Sequence, residues 1–402
     1  MKYVVVLGDG MADYPIPELG NKTPLSYART PNLDFLASRG KMGMVKTVPD
    51  GMPPGSDVAN LSVMGYDPAR YYTGRSPLEA MAMGVELEPG DVAFRCNLVT
   101  LSEEREFAQK TMVDYSSDEI TSAESSQLIA AVKERFDSDE IRFYPGVSYR
   151  HLMVWKNGPL DVELTPPHDI SDRVIAEYLP RGKGSEVLLS LMQESNLFLP
   201  SHPVNLARVK RGLRPATSLW FWGHGTKPAL PLFADKYGLG GSVIAAVDLT
   251  KGIGVCAGLK MVNVPGATGN INTDFRGKAR AALKELEEGK DFVYIHVEAP
   301  DEAGHRGELE TKIKAIEEID EKVIGELLSG LAKFGEYRLM VLPDHPTPLS
   351  VRTHTAEEVP FVIFDSRQYY PSKASTYDEA SARSTGLRFE KGHELMDYFI
   401  KG

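Results

Sequence analysis

The sequence predicts an α/β protein with a largely parallel sheet flanked by helices, interrupted by an inserted, smaller α+β domain. Three observations lead there. Four short runs rich in β-branched residues, KYVVVLG, DFVYIHVEA, EYRLMVLPD and VPFVIFDS, are apolar almost throughout, as strands covered on both faces are. Between the second and third of these, Ile313, Ile316, Ile319, Val323, Ile324, Leu327, Leu328 and Leu331 recur at three- and four-residue steps, the period of an amphipathic helix. From about residue 88 to 212 the texture changes to a mixture of strand-like and helix-like segments punctuated by Pro and Gly.

Taken in order, KYVVVLGDG reads as a buried strand closed by a tight Gly-Asp-Gly turn. The middle region opens with DVAFRCNLVTL, continues with a polar Ser/Glu-rich helix candidate at 115–135 and with SYRHLMVWKNG, and closes with GSEVLLSLMQES. Strand, helix and strand then alternate to the C-terminal part, and such a sheet presents its functional loops at the carboxyl ends of its strands. A chain of 402 residues exceeds the roughly 250–300 residues over which one core keeps growing. The expected division is a core domain of residues 1–87 and 213–402 with residues 88–212 inserted.

Composition narrows the function. Apolar residues make up 42% and charged residues 25%, which is ordinary globular usage and argues against a disordered or fibrous chain. A net charge of -11 argues against a nucleic-acid partner. Two cysteines, Cys96 and Cys256, support neither a disulfide framework nor a Cys-based zinc site, and fit a reducing compartment. The run YVVVLG is shorter than a signal-peptide core, and no stretch approaches the roughly 18 apolar residues of a membrane span. A soluble cytoplasmic protein with no membrane partner is therefore expected.

The chemistry concentrates at the predicted strand ends. Asp9 follows the first strand, and Asp344 and His345 close EYRLMVL, with His354 nine residues further on. In EAPDEAGHRG, Asp301 and His305 are four apart, a spacing that puts both on one face of a helical turn, where they can grip one cation. Singly, each is equally well explained as a turn or helix cap. Together they form a mixed carboxylate and imidazole set that suits Mn²⁺ or Zn²⁺ better than Mg²⁺. Six such side chains exceed one tetrahedral site, and two neighbouring ions would form a clamp for in-line displacement at phosphorus. Ser56, behind Pro-Pro-Gly in GMPPGSDVANLS, is a candidate nucleophile if a cation lowers its hydroxyl pKa.

The succession GDGMAD, PPGSDVANL, PDEAGH, PDH and HT…VP resembles the archaeal-type cofactor-independent phosphoglycerate mutases of the alkaline phosphatase superfamily. The likeness also takes in GYDPARYYTGRSPLEA and GATGNINTDFRGKA. It implies an alkaline-phosphatase-like core and two divalent ions. One would be held by Asp301, His305 and His354, the other by Asp9, Asp344, His345 and the nucleophile Ser56. It further implies interconversion of 2-phosphoglycerate and 3-phosphoglycerate through a phosphoserine, without bisphosphoglycerate. The chain reads GSDVAN where members commonly read GSDTAH, so Val58 and Asn60 stand in place of a hydroxyl and an imidazole. It also resembles a branch of the family proposed to act as a homoserine kinase. No GxxxxGK[ST] phosphate loop is present for ATP. A phosphomonoesterase is the outcome expected if water reaches the phosphoserine.

For the small phosphorylated hydroxy acid, Arg75, Arg95, Arg150, Lys227 and Lys278 are the candidate anion-binding residues, because a guanidinium fork matches carboxylate or phosphate. His168 and Asp169 in TPPHDI are candidates for acid/base work. The inserted domain is expected to exclude water from the reacting phosphoserine.

Overall fold

The computed structural model describes residues 1–371 and 374–402. The chain divides into two compact units, residues 1–72 with 229–402, and residues 73–228.

The first unit is built on an eight-stranded sheet in the order 260–262, 241–244, 292–297, 2–8, 337–342, 359–365, 41–45 and 388–389. The strand Lys2–Gly8 lies between Phe292–Val297 and Tyr337–Leu342, parallel to both. Val4, Val5, Val6 and Leu7 are fully buried, which is why this run is uniformly apolar rather than alternating. One strand departs from the expected parallel character. Val359–Asp365 runs antiparallel to both of its neighbours, Tyr337–Leu342 and Lys41–Val45. Its connection to Tyr337–Leu342 contains no helix, so there is no crossover to return the chain in the parallel sense. That connection instead carries Asp344, His345 and His354.

The amphipathic stretch beginning at Leu309 is helical but not one regular helix. Leu309–Glu318 and Gly325–Leu331 are joined by a π-helical turn at Ile319–Ile324. The widened turn holds Asp320 buried, where its carboxylate meets the N-terminus of the helix Pro31–Arg39. Leu33 N donates to Oδ1 at 2.7 Å, and Asn32 N and Nδ2 donate to Oδ2 at 3.3 and 2.9 Å. Groups left without intrahelical partners are thus satisfied by a neighbouring element.

The second unit is α+β with antiparallel pairing throughout. Val92–Leu101 is its central strand, flanked by Arg150–Trp155 and Ser218–Thr226. Ile141–Tyr144 extends the sheet beyond Arg150–Trp155, and Met112–Asp114 pairs with the end of the central strand. The polar helix expected at 115–135 forms at Ser122–Phe136 and buries Leu128, Ile129 and Val132. Leu188, Leu191 and Met192 of the helix Ser185–Phe198 join the same apolar cluster, with Phe94, Phe143 and Trp220. The unit takes in 73–87 and 213–228, outside the expected limits of 88–212. Strand pairing explains the later limit, since Ser218–Thr226 hydrogen bonds along Val92–Leu101. On the earlier side, Ala80 packs with Ala93 and Leu152, and Ser76 Oγ donates to Gly223 O at 2.6 Å.

Replacing Asp320 with Ala strands the donors of Asn32 and Leu33 and is expected to cost about 2 kcal/mol of stability. Urea unfolding of Asp320→Ala beside the parent chain reads this directly. An unchanged midpoint and slope would contradict the capping role.

Candidate metal and phosphoryl-transfer site

The three central strands of the first unit end together. Leu7 is level with His296 on one side and Leu342 on the other, so the residues just beyond them meet at one sheet edge. Asp9 N donates to Val297 O at 2.9 Å, and Gly10 N donates to Asp344 Oδ1 at 3.1 Å. Gly10 has φ +63°, and a Cβ there would lie 2.6 Å from Thr347 Oγ1 and 2.7 Å from Asp301 Cα. Only glycine permits so close an approach in that conformation.

Asp301 and His305 lie within the helix Ala299–Arg306, so their spacing of four puts them side by side. His305 Nε2 is 3.2 Å from Asp301 Oδ2, and His354 Nε2 is 3.4 Å from Asp301 Oδ1. The two imidazole Nε2 atoms face each other at 2.9 Å. His305 Nδ1 lies 3.0 Å from Arg352 O, which orients the ring and leaves Nε2 for the site. Thr347 Oγ1 donates to Asp301 Oδ1 at 2.5 Å and lies 3.2 Å from His345 Nδ1.

Ser56 is the first residue of the helix Ser56–Val63, so its hydroxyl sits at the electropositive helix end. Its Oγ is 3.1 Å from His345 Nε2 and 3.4 Å from Asp9 Oδ2. His345 Nε2 is in turn 3.5 Å from Asp9 Oδ1 and 3.4 Å from Asp344 Oδ2. The structure therefore brings Asp9, Ser56, Asp301, His305, Asp344, His345 and His354 to one place. Donor atoms of Asp301, His305 and His354 lie within 4.8 Å of one another, as do those of Asp9, Asp301 and His345.

Several residues of the site lie outside the predicted ligand and nucleophile set. Asn60, one turn along the helix from Ser56, donates from Nδ2 to Ser56 O at 2.9 Å and to Asp344 Oδ2 at 3.1 Å. Its Oδ1 accepts from the buried Tyr294 hydroxyl at 2.7 Å. Asn60 thus fixes the carboxylate of Asp344 relative to the serine helix. His296, hidden within the apolar run FVYIHV, is fully buried with Nε2 2.9 Å from Asp9 Oδ2. Its only sequence trace was a lone imidazole where an aliphatic residue would serve. Lys312 is buried as well, donating to Asp13 Oδ2 at 2.7 Å and to Thr347 O at 2.8 Å. It ties the turn of the first strand to the loop that carries His345.

The electrostatics follow from crowding like charges away from water. Burial, and then the carboxylates of Asp344, Asp301 and Glu298, push the Asp9 carboxyl well above the usual range. Burial alone would raise Asp301 too, but hydrogen bonds from His305 and His354 and the charge of His345 hold it well below. The bond to Asp301 lifts His305 to about 9 against the effect of burial. Burial lowers His345, and lowers His296 to about 4. Three carboxylates buried together, beside the His345 and His296 rings that burial disfavours in their charged form, are what a divalent cation stabilises. Asp9 Oδ1 has no hydrogen-bond partner among the described residues, so one ligand atom is free for it. The donor set fits divalent ions.

Lys278 lies in the same unit, fully buried, with Nζ donating to His296 O at 2.9 Å and its pKa lowered to about 8 by burial. The remaining anion-binding candidates belong to the second unit. There Glu79 Oε1 receives Arg75 Nε at 3.0 Å and Arg95 Nη1 at 2.9 Å. Arg95 is buried with its guanidinium over the Trp222 ring at 4.8 Å, and Arg150 covers Tyr149 at 5.1 Å. His168 stands edge-on to Trp222 at 5.2 Å, with Asp169 Oδ1 3.6 Å from its Nε2. Lys227 is exposed just past the strand Ser218–Thr226.

A model of the 2,3-bisphosphoglycerate-independent phosphoglycerate mutase family matches residues 37–205. The chain is 55% identical, over the whole of both sequences, to a probable 2,3-bisphosphoglycerate-independent phosphoglycerate mutase of Geobacter sulfurreducens. The chain belongs to this family. A mutase of Methanosarcina acetivorans is 49% identical, again over both full lengths. Among solved structures, a Pyrococcus horikoshii protein matches with a TM-score of 0.84 at 29% identity, covering 100% of this chain and 96% of that one. The cofactor-independent phosphoglycerate mutase of Thermoplasma acidophilum matches with a TM-score of 0.67 at 27% identity, covering 100% and 99%.

Within this mutase-family fold, replacing Lys312 with Met leaves the Asp13 carboxylate buried without its cation. A loss of about 3–5 kcal/mol is expected in chemical denaturation. A change below about 1 kcal/mol would show that the pair does not hold the site loops together.

Proposed function

We propose that the protein interconverts 2-phosphoglycerate and 3-phosphoglycerate without bisphosphoglycerate, by phosphoryl transfer through Ser56. The observation that carries this reading is the position of the Ser56 hydroxyl, at a helix N-terminus and within 3.4 Å of both His345 and Asp9. It is supported by the mutase descriptions of full-length relatives at 49–55% identity. None of these findings favours a homoserine kinase or a phosphomonoesterase.

Asp301, His305 and His354 would hold one divalent ion, and Asp9, Asp344, His345 and Ser56 the other; Mn²⁺ is the ion that best suits this mixture. When bound, such ions supply charge neutralisation at the phosphoryl oxygens and a lowered pKa for the serine hydroxyl. Ser56 Oγ attacks phosphorus as its hydroxyl proton is released, the bond from phosphorus to the glycerate oxygen breaks, and that oxygen takes up a proton in exchange. The glycerate then turns, its other hydroxyl attacks the phosphoserine as it loses a proton, and the departing Ser56 oxygen regains one. His168, with Asp169 Oδ1 3.6 Å from its Nε2 and its pKa lowered by burial, is suited as a neutral base to take the proton of the attacking hydroxyl. Arg75, Arg95 and Arg150 would supply guanidinium forks for the substrate's anionic groups. Lys227 adds a further cation for those groups, and Lys278 acts by fixing the backbone of His296.

Phosphorus NMR of the purified chain with Mn²⁺ and 3-phosphoglycerate is expected to show 2-phosphoglycerate forming without added bisphosphoglycerate. Ser56→Ala should lose the activity by at least about 10⁴-fold with an unchanged far-UV spectrum. Release of free phosphate without isomerisation, or ATP consumption with homoserine and no isomerisation, would overturn the assignment.

A further inference from the structure

The seven side chains discussed above leave one imidazole at the same sheet edge without a role. His296 sits in the strand Phe292–Val297, level with Leu7, and is fully buried. Among the described residues, neither of its ring nitrogens has a hydrogen-bond partner. Buried imidazoles seldom go unsatisfied, because at least one nitrogen is a donor and the other an acceptor. Yet Nε2 lies only 2.9 Å from Asp9 Oδ2. Two polar atoms so close without a hydrogen bond are not pointed at each other. Atoms that share a cation have this relation, with lone pairs converging on a common point and ligand atoms about 3 Å apart at bond lengths near 2.1 Å. Donor atoms of Asp9, His296 and Asp344 lie within 4.8 Å of one another, and all three side chains are buried.

From this convergence we infer that His296 is a further metal ligand, its Nε2 joining Asp9 and Asp344 around the cation beside Ser56. The inference rests on the two-ion reading given under the proposed function. Lys278 pins the carbonyl of His296 at 2.9 Å, which fixes the backbone from which the ring is presented. A second imidazole next to His345 softens the donor set of this ion. It thereby favours Mn²⁺, Co²⁺ or Zn²⁺ over Mg²⁺ at the position that activates the nucleophile.

The test uses the full chain labelled with nitrogen-15 histidine and loaded with cadmium-113. Scalar coupling from cadmium is expected at four imidazoles, those of His296, His305, His345 and His354. Coupling at three, with the His296 ring uncoupled, would overturn the inference while leaving the two-ion reading intact. Binding of fewer than two cadmium ions by the parent chain would instead refute that reading itself. His296→Gln offers an amide N–H within reach of Asp9 but has no imidazole nitrogen. It should bind one Mn²⁺ normally and the other at least about 100-fold more weakly, beyond what loss of an outer hydrogen bond usually produces. Its Mn²⁺ over Mg²⁺ preference for that ion should fall at least about tenfold. Equal weakening for both metals would mean that His296 only positions Asp9, and would overturn ligation. The unaffected ion reports that the variant is folded. His296→Asn serves the same purpose if the glutamine does not fit, and the cadmium spectrum of the parent chain needs no variant.

Discussion

Three carboxylates, Asp9, Asp301 and Asp344, are buried together at the carboxyl edge of a parallel sheet, and their mutual repulsion is the constraint around which the first unit is organised. Bringing them into the interior is unfavourable unless protons or cations offset the charge. Much of the surrounding architecture enforces the crowding. Gly10 lets the first strand's turn touch Asp301, Thr347 spans from Asp301 to His345, and Asn60 and Gly10 both bind the Asp344 carboxylate. The carboxylate oxygens are therefore held in fixed orientation by hydrogen bonds, as groups that would hold cations require.

The same constraint explains the departure from GSDTAH around the nucleophile. Asn60 fills the position of an imidazole, but its amide accepts from Tyr294 and donates to Asp344 at once. It does this without adding another titratable group to a crowded site. Asn60 also donates to Ser56 O, so the nucleophile and one candidate ligand are held by a single side chain.

How much of this was legible in the sequence depended on where the information lay. Asp344 and His345 were visible because they break an apolar strand, and Asp301 and His305 because their spacing matches a helical turn. Ser56 was visible through the Pro-Pro-Gly that precedes it. His296 was not, since one imidazole inside FVYIHV looks like any strand residue until Asp9 is placed beside it. Lys278 read as an anion-binding cation in a loop-like stretch, whereas its helix turns it inward onto a carbonyl. The direction of Val359–Asp365 was equally hidden, because strand composition says when both faces are covered but not which way the chain runs. The limits of the second unit were misplaced because Ser218–Thr226 joins a strand more than a hundred residues earlier, and pairing at that range leaves no local pattern. The helix break at Ile319–Ile324 left the apolar period intact and showed only once Asp320 met Leu33.

On the proposed reading, this buried acidic edge would hold two divalent cations. Crystals of the full chain soaked in Mn²⁺ and measured at the manganese absorption edge test it most directly. Two anomalous peaks are expected, one among Asp301, His305 and His354 and one beside Ser56, Asp9 and Asp344. A single peak, or density confined to surface carboxylates, would contradict it.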